Sequence, residues 1–118
     1  MLEINIEEPE EHPVTVCRPV GELDAYTVGQ FRQSLADLAD TNQLVIDLSD
    51  VPFMDSAGLG ALIGGIRGVR DSGGDVAVAC SGETLTRLLH TTGFDRIVPV
   101  VGSIDDAIVA LSEEREDQ

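Results

Sequence analysis

Lysine and tryptophan are absent from this chain of 118 residues, and all seven of its basic residues are arginine. Against them stand 22 acids, for a formal charge of −15. A surface so short of positive charge repels phosphates at long range, which argues against nucleic acid or an anionic membrane as partner. Without lysine there is no Gly-Lys-Ser/Thr end for a phosphate-cradling P-loop. Aromatic residues make up 3%, so the core must be aliphatic. Two cysteines, Cys17 and Cys80, each lie in an apolar run and are expected to be buried free thiols rather than a disulfide framework. With two scattered histidines they make no metal-ligand spacing, and neither a metal nor a cofactor is expected. No apolar run approaches the roughly 20 residues that cross a bilayer. The first residues, Met1-Leu2-Glu3-Ile4-Asn5-Ile6-Glu7, lack the basic and apolar regions of a signal peptide. The expected location is the cytoplasm.

What is present is enough for one core. Apolar residues are 42% of the chain, well above the range of a disordered acidic tail, and the length suits a single domain over 1–118. The acid collects at the ends: residues 1–24 carry seven acids and Arg18, a net of −6, and residues 97–118 carry six acids and Arg115, a net of −5. These read as solvated ends around a core of 2–111, with 112–118 as an acidic tail frayed from Glu113 onward.

Leu2, Ile4 and Ile6 alternate with polar residues, and Val14, Val16 and Val20 do so again beyond an acidic turn, which predicts a hairpin of two strands. Thr27 and Gln30 have capping-box spacing, and Val28, Phe31, Leu35 and Leu38 follow at helical intervals, predicting a helix over 28–39. Leu44–Leu48 and Val76–Cys80 are compact apolar runs, the pattern of interior strands. A second helix is predicted over 56–71. A third follows a cap at Ser81 and ends at Gly93 in a left-handed conformation. Ile97–Val101, with Pro99 inside it, predicts a last, edge strand. Ser103 and Asp106 then open a fourth helix whose inner face is Ile104, Ala107, Ile108 and Leu111. From residue 28 helices and strands alternate. The fold class is therefore α/β, a mostly parallel sheet of about five strands with four helices and an antiparallel N-terminal hairpin at its edge.

The segment Phe53-Met54-Asp55-Ser56-Ala57-Gly58-Leu59-Gly60 joins an interior strand to a helix start, where α/β sheets place their binding sites. Ser56 is expected at the N-cap. The helix it opens has one apolar stripe, Leu59, Leu62, Ile63, Ile66 and Val69, while Ala57, Gly60, Ala61, Gly64 and Gly68 lie opposite. A solvated face normally carries charge, and glycines there each cost up to about 1 kcal/mol of helix propensity. Either a neighbouring helix packs closely on this side or a partner docks on it, and docking is the reading favoured. Two acids attend the site: Asp55 beside Ser56, and Asp24 in Gly21-Glu22-Leu23-Asp24, whose loop should open on the same edge of the sheet.

Enzymatic alternatives fail residue by residue. A nucleophile elbow requires Gly two residues before its Ser, and Met54 stands there. Ile63 occupies the third-glycine position of a dinucleotide loop begun at Gly58. A phosphate-accepting Asp receiver needs an acid pair on its first strand and a late lysine, and both are missing. Catalysis by this chain is not expected.

Gly21-Glu22-Leu23-Asp24 with Thr27, then Leu44-Val45-Ile46-Asp47-Leu48, then Asp55-Ser56-Ala57-Gly58-Leu59-Gly60, together resemble the STAS domain of bacterial anti-sigma factor antagonists. Leu89-His90-Thr91-Thr92-Gly93-Phe94 and the Ser103 helix fit as well, so the resemblance spans about residues 2–111. Many relatives carry Ser or Thr where this chain has Ala57, leaving Ser56 the one hydroxyl at the helix start. The resemblance implies partner switching. The unmodified protein would bind an anti-sigma factor of the histidine-kinase-like ATPase type and release a sigma factor. That partner would phosphorylate Ser56, and a PPM-type serine phosphatase would restore it. Binding would fall to Asp24, Asp55, Ser56, Ala57, Gly58, Gly60, Ala61 and Gly64. The alternative is a STAS subunit of another assembly, a lipid-transport complex or a stress-signalling scaffold.

Overall fold

The computed structural model describes residues 2–116, with side chains to Glu113. Strand β1 (Glu3–Glu7) pairs antiparallel with β2 (Thr15–Val20), Glu3 opposite Val20 and Glu7 opposite Val16, as the alternating pattern predicts. Helix α1 (Val28–Asp37) leads to β3 (Gln43–Asp47), helix α2 (Ser56–Asp71) to β4 (Asp75–Ala79), and helix α3 (Glu83–Thr91) to β5 (Val100–Val101). Helix α4 (Ile104–Glu116) closes the described chain. The sheet order is β1-β2-β3-β4-β5, and every pairing after the first is parallel.

The two faces of the sheet are covered unequally, and the side-chain alternation of the strands assigns each residue its layer. Cys17, Leu44, Ile46, Val76 and Val78 point to the side of α1, α2 and α3, where they join Phe31, Leu35, Leu62, Ile66, Leu85 and Leu89 in the larger core. Val16, Val45, Ala77 and Ala79 point the other way and are covered by Ala107 and Leu111 of α4, with Ile104 and Ile108 at its margin. β3 and β4 are thus buried on both faces, which explains the apolar runs Leu44–Ile46 and Val76–Ala79 within them. Of the four aromatics only Phe31 and Phe94 serve the core.

Several boundaries differ from the expectation. α1 stops at Asp37 instead of residue 39, its last turn tightening as the Leu38 amide donates to the Leu35 carbonyl at 3.1 Å. β5 has only Val100 and Val101, because Phe94–Arg96 forms a 3-10 turn that carries the chain inward at Phe94. Pro99 has no amide for the ladder, but its carbonyl accepts from Val78 at 2.9 Å. Gly82, not Ser81, precedes α3. Gly93 has the expected left-handed φ of 76°. α4 begins at the Ser103 cap, whose hydroxyl accepts from the Asp106 amide at 3.1 Å, and it persists to Glu116 where a frayed tail was expected. Its first-turn acids Asp105 and Asp106 complement the positive end of the helix, and Leu111 anchors its later turns. Residues 117–118 of that tail lie outside the described residues.

Both cysteines are free and buried. Burial pushes the Cys17 thiol up from 9.0 to about 11, because the thiolate is costly away from water. The unfolded chain therefore loses this proton first as the pH rises. The contribution of Cys17 is complete below pH 9 and is lost toward pH 11. At about 1.4 kcal/mol per unit, the loss is about 3 kcal/mol. Denaturant midpoints measured from pH 8 to 11 should fall steeply in the wild type. In Cys17→Ala they should start lower and fall less, and parallel slopes would show that Cys17 does not titrate on unfolding.

Candidate functional site

The loops that follow β2 and β3 leave the sheet at the same edge and are sewn together. Gly21, at a φ of 124° that a side chain would strain, donates its amide to the Asp50 carbonyl at 3.1 Å. Leu23 then lies parallel to Met54 in a single extra rung. Its amide donates to the Phe53 carbonyl at 3.0 Å, and its carbonyl accepts from the Asp55 amide at 3.1 Å. Leu23 and Met54 are both buried, so the rung is anchored from beneath.

Asp55 completes the seam. It is extended at φ −95° and ψ −174°, and its Oδ1 accepts from the Gly58 amide at 3.0 Å, making Asp55 the N-cap of α2. Its Oδ2 accepts from the Ala25 amide at 3.2 Å, across to the other loop. The expectation that Ser56 caps the helix is therefore corrected by one residue. Asp and Ser are equally good caps, and the rung with Leu23 selects Asp55 by holding it in the extended conformation a cap requires. Ser56 becomes the first residue of α2, exposed, and its hydroxyl has no hydrogen bond among the described residues. The side chain is chemically spare.

Asp24 has a local task as well. Its Oδ1 accepts from the amides of Tyr26 at 2.9 Å and Thr27 at 3.1 Å, which fixes the turn into α1. The Thr27 hydroxyl turns back to the Glu22 carbonyl at 2.8 Å rather than capping the helix. The loops 21–27 and 49–56 hold Glu22, Asp24, Asp50 and Asp55 and no basic residue.

The bare side of α2 proves to be of two kinds. Gly58 is buried, and a Cβ there would stand 2.5 Å from the Leu23 carbonyl oxygen. A Cβ at Gly65 would collide with the Leu35 side chain. Ala61 is buried too. At these positions the small residues let α1 and the Leu23 loop approach. Gly60 and Gly64 are exposed, and a Cβ on either meets nothing within 4 Å. They open into a groove of about 450 Å³ between α1 and α2, whose other wall is Arg32, Leu35 and Ala36 of α1 with Ala39 just beyond it. Ala57 is half-buried beside Ser56. Of the residues expected to share a partner surface, Ser56, Gly60 and Gly64 are open, whereas Asp24, Asp55, Gly58 and Ala61 build the local structure.

A contrast in stability follows. Gly58→Ala should cost about 1–3 kcal/mol through overpacking against backbone, while Gly64→Ala should add up to about 1 kcal/mol by helix propensity alone. Chemical denaturation of both variants checks the difference, and equal effects would contradict this division of the helix face.

Two residues that sequence patterning passed over belong to the same edge. Tyr26 is 97% exposed and Phe53 is 52% exposed, one on each of the joined loops. Their signal in the sequence was position: neither falls on a periodic apolar stripe, in a chain with four aromatics to place. A roomier hollow of about 690 Å³ lies at the far edge, lined in part by Glu8, His12, Asp37 and Asp40, and shares no residue with the Ser56 loops. Among the described residues no three His, Cys, Asp or Glu side chains group as metal ligands, and no helix is long and apolar enough to cross a membrane.

Comparison with known proteins agrees with the fold. The STAS domain family matches residues 3–107. The chain is 30% identical to the anti-sigma F factor antagonist of Paenibacillus polymyxa over 115 residues, 95% of this chain and 96% of that one. It is 32% identical to the anti-sigma-B factor antagonist of Bacillus subtilis over 100 residues, 84% of this chain and 92% of that one. Among solved structures, an anti-sigma factor antagonist from Mycobacterium paratuberculosis superposes with a TM-score of 0.85 at 29% identity, covering 95% of each chain.

Proposed function

The chain belongs to the STAS domain family, and we propose that it is an anti-sigma factor antagonist that switches partners through the state of Ser56. Unmodified, it binds an anti-sigma factor and thereby frees a sigma factor. The anti-sigma factor, an ATPase of the histidine-kinase-like type, transfers the γ-phosphoryl group of ATP to Ser56 Oγ. ADP leaves, and the hydroxyl proton passes to a base of the kinase. A PPM-type serine phosphatase returns the hydroxyl. Within this reading the chain is the substrate and the binding surface, takes no cofactor, and works in the cytoplasm where sigma factors meet RNA polymerase.

The observation that carries the reading is the spare, exposed hydroxyl of Ser56 on the first turn of a helix that Asp55 already caps. A phosphate there adds about 1.5–2 negative charges at the positive end of α2. The amides of Ser56 and Ala57 have no carbonyl acceptor among the described residues, so they are free to meet phosphate oxygens. The domain should tolerate the group. A partner pressed against the same spot should not, because it would have to desolvate a dianion beside Asp55, a charge without a counter-ion in these loops.

The test is phosphoryl transfer. Incubated with γ-labelled ATP and the purified anti-sigma factor ATPases of its own genome, the wild type should take up label at Ser56, and Ser56→Ala should take up none. Label that persists in Ser56→Ala would overturn the site. A chain that no such ATPase labels or binds would return the alternative, a STAS subunit of another assembly.

A further inference from the structure

We propose that Tyr26 and Phe53 are the two apolar anchors of the partner interface, seated in the anti-sigma factor against a pocket bordered by arginine or lysine. This inference rests on the anti-sigma reading and adds the residues that would supply most of the binding.

Three observations carry it. The first is cost. In a chain with four aromatics, two are fully used in the core, while Tyr26 stands 97% and Phe53 52% exposed. Aromatic rings left in water forgo a large apolar burial, and such residues are over-represented among interface hot spots. The remaining exposed large apolar residues, Ile6 in β1, Ile97 just after the 3-10 turn and Val109 in α4, are aliphatic and lie outside the two loops.

The second is rigidity. Tyr26 sits on a turn pinned by Asp24 Oδ1, which accepts from the Tyr26 amide at 2.9 Å and the Thr27 amide at 3.1 Å. The preceding Ala25 amide is held by Asp55 Oδ2 at 3.2 Å, and the Phe53 carbonyl is held by the Leu23 amide at 3.0 Å. Side chains offered on a backbone this fixed lose little freedom on binding, which is the condition for an efficient anchor. The turn chemistry of Asp24 thereby acquires a purpose: it presents Tyr26.

The third is charge. Glu22, Asp24, Asp50 and Asp55 share the two loops with the rings and no base stands among them, so the complementary surface is basic. Arginine suits both parts of such a site, since its guanidinium pairs with carboxylates and stacks on a tyrosine face. That border is matched to the four loop carboxylates already present, so a dianion added on Ser56 is left without a counter-ion of its own.

The experiment measures binding to the anti-sigma factor that labels Ser56, without ATP so that Ser56 stays unmodified. Tyr26→Ser and Phe53→Ser should each weaken binding by at least about 10-fold, with Tyr26→Phe close to wild type and all three melting normally. A photo-crosslinking phenylalanine analogue in place of Tyr26 or Phe53 should join covalently to the partner, and one in place of Val109 on α4 should not. If the wild type binds and the serine variants match it within twofold, the anchors are overturned and the anti-sigma reading stands. If the wild type binds no anti-sigma factor, both are overturned.

Discussion

Ser56→Asp should bind the anti-sigma factor more than a hundredfold more weakly than the wild type while unfolding at nearly the same temperature. The two halves of that result have separate causes. Ser56 is exposed and holds no bond that folding needs, since Asp55 supplies the cap of α2. An acid in the first turn of a helix is mildly favourable, worth about 0.3–1 kcal/mol, so stability should hold or rise slightly. In the complex the same carboxylate is trapped beside Asp55 in a surface already rich in acid. A buried charge without a partner commonly costs about 3–5 kcal/mol, and 3 kcal/mol is already more than a hundredfold in affinity. Titration calorimetry and a thermal melt on one preparation separate the effects. Weak binding accompanied by a large drop in melting temperature would point to damage rather than to switching.

The second large effect should come from Gly64→Arg. Gly64 is exposed on α2, and a Cβ there meets nothing within 4 Å, so an arginine can extend into solvent without disturbing α1. Replacing glycine in a helix interior should raise stability by about 0.5–1 kcal/mol. If the groove between α1 and α2 continues the docking surface from Ser56, the new side chain blocks it and brings positive charge against a basic partner. Affinity should fall by about a hundredfold or more, with Gly64→Ala close to wild type. Normal binding by Gly64→Arg would confine the interface to the loops and the first turn of α2. A loss of stability instead would mean that α1 packs on Gly64 after all.

How much of this could be read from residues alone depends on the range of the interactions involved. The doubly buried strands β3 and β4 were legible because burial on both faces leaves an unbroken apolar run, and the stripe of α2 because Leu62, Ile66 and Val69 repeat at helical spacing. That Asp24 and Asp55 belong to one edge followed from parallel topology. The assignment of the cap to Asp55 did not, because the deciding contact is a bridge between Leu23 and Met54, thirty-one positions apart in the chain. The bare face of α2 was legible as unusual but not divisible. Gly65 meets Leu35 while Gly64 meets nothing, and that difference depends on where α1 lies. The exposure of Tyr26 escaped for the opposite reason. Periodicity finds residues that turn inward, and a side chain held outward by a three-residue turn leaves no periodic trace. The net charge of −15 gives the sign expected of a partner without locating it; the acids that matter here are Asp24, which holds a loop, and Asp55, which holds a helix.

The most direct test of the switch is one affinity measured twice. The wild-type protein is titrated into its anti-sigma factor before and after stoichiometric phosphorylation, with the modified residue identified as Ser56 by mass spectrometry. A phosphate carries more charge than the aspartate substitute, so the expected loss of affinity is about a thousandfold, corresponding to about 4 kcal/mol, and the phosphatase should restore it. Equal affinity of the two forms, with phosphate mapped to Ser56, would contradict the account.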